Sequence, residues 1–167
     1  FKDVLQAVDA VTGDILWQYT YRLPKDVTPT PKKSIAIYDS LVFMPTSDAH
    51  IVALDVKTGA LVWNTGVGQQ GYPMSGGPIV ARGKVIFGTR GPKPVIVALD
   101  ATTGKEAWRV KRPVQVSWSS PVLVEAGGRT ELVTSGSELV VGYDPATGEV
   151  GGAVQSRVFS VGNGVLW

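Results

Sequence analysis

The chain has 167 residues, no cysteine, and 16 Lys and Arg against 14 Asp and Glu, for a net charge of +2. The missing cysteine excludes disulfides, thiolate metal sites and cysteine nucleophiles within this chain, and the small net charge argues against a nucleic-acid partner. With 44% hydrophobic and 18% charged residues it can bury a core, yet no apolar run is long enough to span a bilayer.

In chain order, "VLQAVD" and "DILWQYTY" read as two strands. "SIAIYD", "LVFMPT", "HIVALD" and "ALVWNTG" follow as a set of four. Residues 76–110 hold another four, with "GGPIVAR", "GKVIFGT", "KPVIVALD" and "KEAWRVK" separated by Gly, Pro or Asp–Thr–Gly punctuation. "WSSPVLVEAG", "TELVTSG", "ELVVGYD" and "GEVGGAVQ" make a third set, and "RVFSVGNGVLW" ends the chain as two short strands around Gly162–Asn163–Gly164. No apolar spacing of three and four is sustained, so helix is not supported.

One decapeptide punctuates these sets: "VDAVTGDILW", "LDVKTGALVW" and "LDATTGKEAW", with a weaker copy, "YDPATGEVGG". Its acid falls at Asp9, Asp55, Asp100 and Asp144, in steps of 46, 45 and 44 residues. A fixed period of this size with four antiparallel strands per unit is the pattern of an all-β, four-stranded-blade β-propeller, with about four blades per chain. Each Asp is expected to accept backbone N–H groups and close a turn. Gly13, Gly59, Gly104 and Gly148 are expected to supply positive φ there. Trp17, Trp63 and Trp108, four residues after each Gly, are expected to be largely buried and to dock one blade on the next. Gly152 stands where a fourth Trp would, so the interface beyond it is expected to be the weakest.

The first set lacks its first two strands, and the chain ends on two spare ones. Residues 157–160 and 165–167 are therefore expected to complete the blade begun by "VLQAVD" and "DILWQYTY", since half-blades alone leave open edges. The composite blade can close a four-bladed ring within one chain, or an eight-bladed ring of two chains. In a third reading the chain is a fragment of a longer propeller. The domain is accordingly a single propeller or half-propeller over residues 1–167. Without an initiator Met or a signal peptide, the chain is expected to be processed, trimmed or excised from something longer.

Other candidate chemistry is sparse. His50, the one histidine, has only Asp48 and Asp39 nearby in sequence and reads as a hydrogen-bonded residue at a strand start. The close basic pairs, Lys32–Lys33 and Lys111–Arg112, fall in inter-blade links and read as solvated loops. No phosphate-loop pattern occurs, and no catalytic residue is identified.

The decapeptide, in its fuller form "AVDAVTGDILW", "ALDVKTGALVW" and "ALDATTGKEAW", resembles the tryptophan-docking motif of the pyrroloquinoline-quinone (PQQ) propeller family. That family includes non-catalytic members such as the outer-membrane assembly lipoprotein of Gram-negative bacteria. Residues 4–90 more narrowly resemble the methanol- and ethanol-type quinoprotein dehydrogenases, eight-bladed periplasmic enzymes that oxidise alcohols with PQQ and a calcium or lanthanide ion. The resemblance implies an extracytoplasmic setting. It also implies cofactor contacts at Ser75, in "MSGGP", and at Arg90 and Gly91, in "GTRG". Those enzymes carry an adjacent cysteine pair beside the quinone, which this chain lacks. The chain is thus expected to be either a PQQ-binding segment of a dehydrogenase-like propeller or a non-catalytic scaffold.

Overall fold

The computed structural model describes residues 2–32, 34–68, 76–89, 92–112, 119–136 and 139–155; of Ala126, Val154 and Gln155 it describes the backbone alone. Among these residues there are strands and no helix. β1 (Lys2–Val8) and β2 (Ile15–Arg22) form a two-stranded antiparallel sheet. Three four-stranded sheets follow, each in simple chain order. The first contains β3 (Ala36–Tyr38), β4 (Leu41–Pro45), β5 (His50–Asp55) and β6 (Leu61–Gly66). The second contains β7 (Ile79–Ala81), β8 (Lys84–Gly88), β9 (Val95–Asp100) and β10 (Glu106–Lys111). The third contains β11 (Val122–Ala126), β12 (Arg129–Ser135), β13 (Leu139–Tyr143) and β14 (Val150–Gln155). The expected half-blade and three complete blades are present. The first strands of the first two complete blades, β3 and β7, are three residues each and shorter than their apolar runs.

The strand period explains the stacking. Successive side chains of β5 point to opposite faces, and both faces are buried. Val52 and Leu54, with Val42 and Met44, meet Leu5, Trp17, Tyr19 and Tyr21 of the half-blade. Ile51 and Ala53, with Phe43, meet Val85, Phe87, Val97 and Leu99 of the second blade. A third seam joins Ile86, Ile96 and Ala98 to Leu132, Val141 and Tyr143. Each fully buried Leu, Ile or Phe contributes about 1.5–3 kcal/mol. The outer faces of the described stack remain open, with Val4, Val8 and Leu16 exposed at one end and Val122, Val124 and Val150 at the other.

The four decapeptide turns share one geometry. Asp55 Oδ1 accepts from the N–H groups of Lys57 and Thr58 at 3.0 and 2.8 Å, and Gly59 N–H returns to the Asp55 carbonyl at 2.8 Å. Asp9, Asp100 and Asp144 repeat this pattern. The matching glycines have φ of 82°, 71°, 70° and 78°, where a side chain would be strained. Each turn follows a β-bulge at the same register, between Ala53 and Leu54 in the first complete blade. Asp9 is held below the usual carboxylate range chiefly by Thr12 N–H; in Asp55 and Asp100 the first cause is the hydroxyl of Thr58 or Thr103.

The tryptophans bridge blades. Trp17 Nε1 donates to the Val56 carbonyl at 3.0 Å, Trp63 Nε1 to Ala101 at 3.0 Å and Trp108 Nε1 to Pro145 at 3.3 Å. Each indole lies against the glycine of the next turn: a Cβ on Gly59, Gly104 or Gly148 would come within 2.6–2.7 Å of it. They are half-buried and not largely buried as expected, because each stands on an outermost strand with its rim toward solvent.

Candidate functional site

The blades bring the starts of their first strands to one end of the stack, together with the links between second and third strands. Residues 157–160 and 165–167, Ser75, Arg90 and Gly91 lie outside the described residues, but the neighbours of Ser75 and Arg90 are defined. Gly77 N–H donates to Ser120 Oγ at 2.9 Å. A Cβ on Gly77 would stand 1.5 Å from Ser34 Oγ, and one on Gly76 would stand 3.1 Å from the Ser119 carbonyl oxygen. The segment after Ser75 therefore threads between the serines that precede β3 and β11, and only glycine fits there. Thr89, just before Arg90, is buried and its N–H donates to the Val95 carbonyl at 2.8 Å. This end is lined by hydroxyl groups, and the Gly77 and Thr89 N–H groups there are already paired within the protein.

Two charged groups differ from the solvated-loop reading. Lys32, in the link after β2, reaches into the first seam. Its Nζ donates to Ser47 Oγ at 2.6 Å and to the Thr30 carbonyl at 2.7 Å, and lies 3.3 Å from Asp3 Oδ1. Asp3, 7% exposed, also accepts from Ser47 N–H at 2.6 Å and Ser47 Oγ at 2.9 Å. Burial lowers the Lys32 ammonium from its ordinary value, and Asp3 opposes that shift. Arg112 is the second correction: it is 8% exposed and points into the third seam. The repeat carries the signal that finds it, since Arg112 stands four residues after Trp108, where Tyr21 follows Trp17 and the buried Val67 follows Trp63.

His50 is a hydrogen-bonded residue at the start of β5. Its N–H donates to Thr46 Oγ1 at 2.9 Å, and its Nδ1 lies 2.8 Å from Asn64 Oδ1. Asp48 accepts instead from the Tyr21 hydroxyl at 2.9 Å. Burial, and then Asp48, push that phenol up to about 12. The four turn aspartates are spent on their turns and do not converge. Among the described residues no three His, Asp or Glu side chains group as a metal centre would need. A cleft of about 260 Å³ beside Arg82, Arg129, Glu131 and Asp144 lies at the opposite end of the blades, with charges of both signs.

Bladed sheets with this turn and tryptophan geometry define a β-propeller built from PQQ-type repeats. The chain belongs to the PQQ_2 family, described as outer membrane protein assembly factor BamB, whose model matches residues 2–91 and 92–157. It resembles a segment of quinoprotein alcohol dehydrogenases. It is 44% identical over 90 residues to quinoprotein alcohol dehydrogenase PedH of Pseudomonas putida, covering 51% of this chain and 15% of that protein. It is 35% identical over 123 residues to the dehydrogenase subunit of the quinone alcohol dehydrogenase of Komagataeibacter europaeus, covering 64% of this chain and 17% of that subunit. The chain thus spans less than a fifth of the length of these relatives. In fold it matches the quinohemoprotein alcohol dehydrogenase of Comamonas testosteroni, with a TM-score of 0.75 at 23% identity, over 91% of this chain and 32% of that one.

Proposed function

We propose that the chain forms part of the propeller of a PQQ-dependent alcohol dehydrogenase and contributes to the quinone site through Ser75, Arg90 and Gly91. The observation that carries this reading is the 44% identity to a quinoprotein alcohol dehydrogenase. The serines beside that segment, Ser34 and Ser120, give this end a polar character compatible with a carboxylated quinone. A bound quinone would act as two-electron acceptor; this chain's residues would position it. A calcium or lanthanide ion belongs to the reading only if the rest of the propeller supplies its ligands. The setting in this reading is periplasmic. Millimolar PQQ with calcium is expected to raise the melting temperature by linkage, and Arg90→Ala to remove the rise. A rise that survives Arg90→Ala would discard the residue assignment. No rise at all would favour the second reading, a non-catalytic scaffold or protein-binding module, in keeping with the family's description as an outer membrane protein assembly factor.

The same reading extends to assembly, with the three tryptophans as docking anchors between blades. Among the described residues β1 has no partner on its second edge. Pairing of residues 157–160 and 165–167 with that edge would complete the half-blade and cover exposed apolar groups. Between two copies it would close an eight-bladed homodimeric ring with two-fold symmetry, the commonest oligomer symmetry. Sedimentation of the full-length chain is expected to give a dimer that deletion of residues 157–167 abolishes. A full-length chain that stays monomeric at high concentration refutes the two-chain ring.

A further inference from the structure

The third seam holds a cation without a counter-ion among the described residues. Arg112 Nη2 donates to the Ser135 carbonyl at 3.4 Å, a long bond. Its Nη1 lies 3.0 Å from where a Cβ on Gly88 would stand, so the guanidinium uses space that glycine leaves. Its Nε has no hydrogen-bond partner, and neither do the hydroxyls of Thr134 and Tyr143. All three side chains are buried. Burial pulls the guanidinium down from its ordinary value, and the neighbouring Tyr143 hydroxyl opposes that shift. Buried donors left unpaired are costly, and a buried charge more so.

Comparison of the seams shows which residues are special to this one. Thr134 pairs with Val141 as Met44 pairs with Val52 and Phe87 with Val97. Tyr143 stands before its turn Asp where Leu54 and Leu99 stand before theirs. At these two positions hydroxyl groups replace the apolar side chains of the other blades, and they do so in the seam that receives Arg112. The first seam also holds a cation, the part-buried Lys32, but there Asp3 and Ser47 meet it. In the third seam a guanidinium N–H and two hydroxyls are each open to an acceptor, and beside an uncompensated cation one that carries negative charge is favoured. A planar carboxylate or a tetrahedral oxyanion meets it, since either takes several N–H and O–H donors at once.

We propose that Arg112, Thr134 and Tyr143 form an anion-binding site in the seam between the second and third complete blades, taking a small carboxylate or oxyanion. The proposal does not rest on the assignment of Ser75 and Arg90, which lie outside the described residues. Melting of the full chain in sodium chloride, with oxalate or inorganic phosphate titrated in at constant ionic strength, tests it. The wild-type chain is expected to gain several degrees saturably, and Arg112→Met to gain none. Arg112→Met should fold, because an apolar side chain in place of a buried unpaired charge is often neutral or stabilising. Tyr143→Phe and Thr134→Val each remove one donor and are expected to weaken the anion about two- to ten-fold. Equal anion gains in wild type and Arg112→Met, or no gain in wild type, would overturn the site. If Arg112→Met fails to fold, unchanged anion affinity in both hydroxyl variants overturns it.

Discussion

Asp3→Ala is expected to destabilise the protein by about 3–5 kcal/mol, the loss typical when one partner of a buried ion pair is removed. Asp3 accepts three hydrogen bonds, two from Ser47 and one from Lys32. The substitution leaves the Ser47 N–H unpaired and the Lys32 ammonium without its carboxylate, in a side chain only 17% exposed. Domains hold about 5–15 kcal/mol in total, so the variant should stand near its folding limit. Removing both charges, in Asp3→Ala with Lys32→Met, should recover part of the loss. Urea unfolding of the three proteins measures this. An Asp3→Ala midpoint equal to that of wild type would mean that the pair is solvated in solution.

Trp63→Ala is expected to cost about 3 kcal/mol, the low end for truncating a large aromatic, because the ring is half-buried. The loss comprises the Nε1 bond to Ala101, the contact with Gly104 and the tilted packing on Phe43 at 5.6 Å. Gly104→Ala approaches the same contact from the other side. Its Cβ would meet the indole at 2.6 Å, at a φ of 70°. Strain there costs about 1–2 kcal/mol and overpacking about 1–3 kcal/mol more. In the double variant the overpacking vanishes, so the two single-variant losses should add to more than the loss measured for the double variant. Strict additivity by thermal melting would show that indole and turn do not touch, and would end the docking proposal for these seams.

Most of the architecture is legible in the sequence because it is local and repeated. The Asp–Thr–Gly turns are closed within five residues, and the continuous apolar run of strands such as "HIVALD" marks two buried faces. What the sequence hid is the character of the seams. Lys32 and Arg112 look like surface charges because their surroundings come from another blade: Asp3 and Ser47 for one, Ser135 and Tyr143 for the other. Burial of this kind emerges only when the units are superposed, as Tyr21, Val67 and Arg112 are at one repeat position. The indoles lie on the strands their spacing predicts, and their half-exposure follows from lying at the outer rim. The cofactor assignment to Ser75, Arg90 and Gly91 came from family resemblance, not from a pattern these residues make themselves.

In all three seams the atom gripped by the indole N–H is a main-chain carbonyl, belonging in turn to Val56, Ala101 and Pro145. A carbonyl is the same acceptor whatever side chain its residue bears, and the surface beneath the ring is a glycine, which bears none. The grip is therefore blind to the identity of its neighbour. The polar residues of an individual seam can differ, as Lys32 with Asp3 and Arg112 with Tyr143 do, around a hydrogen bond that stays the same.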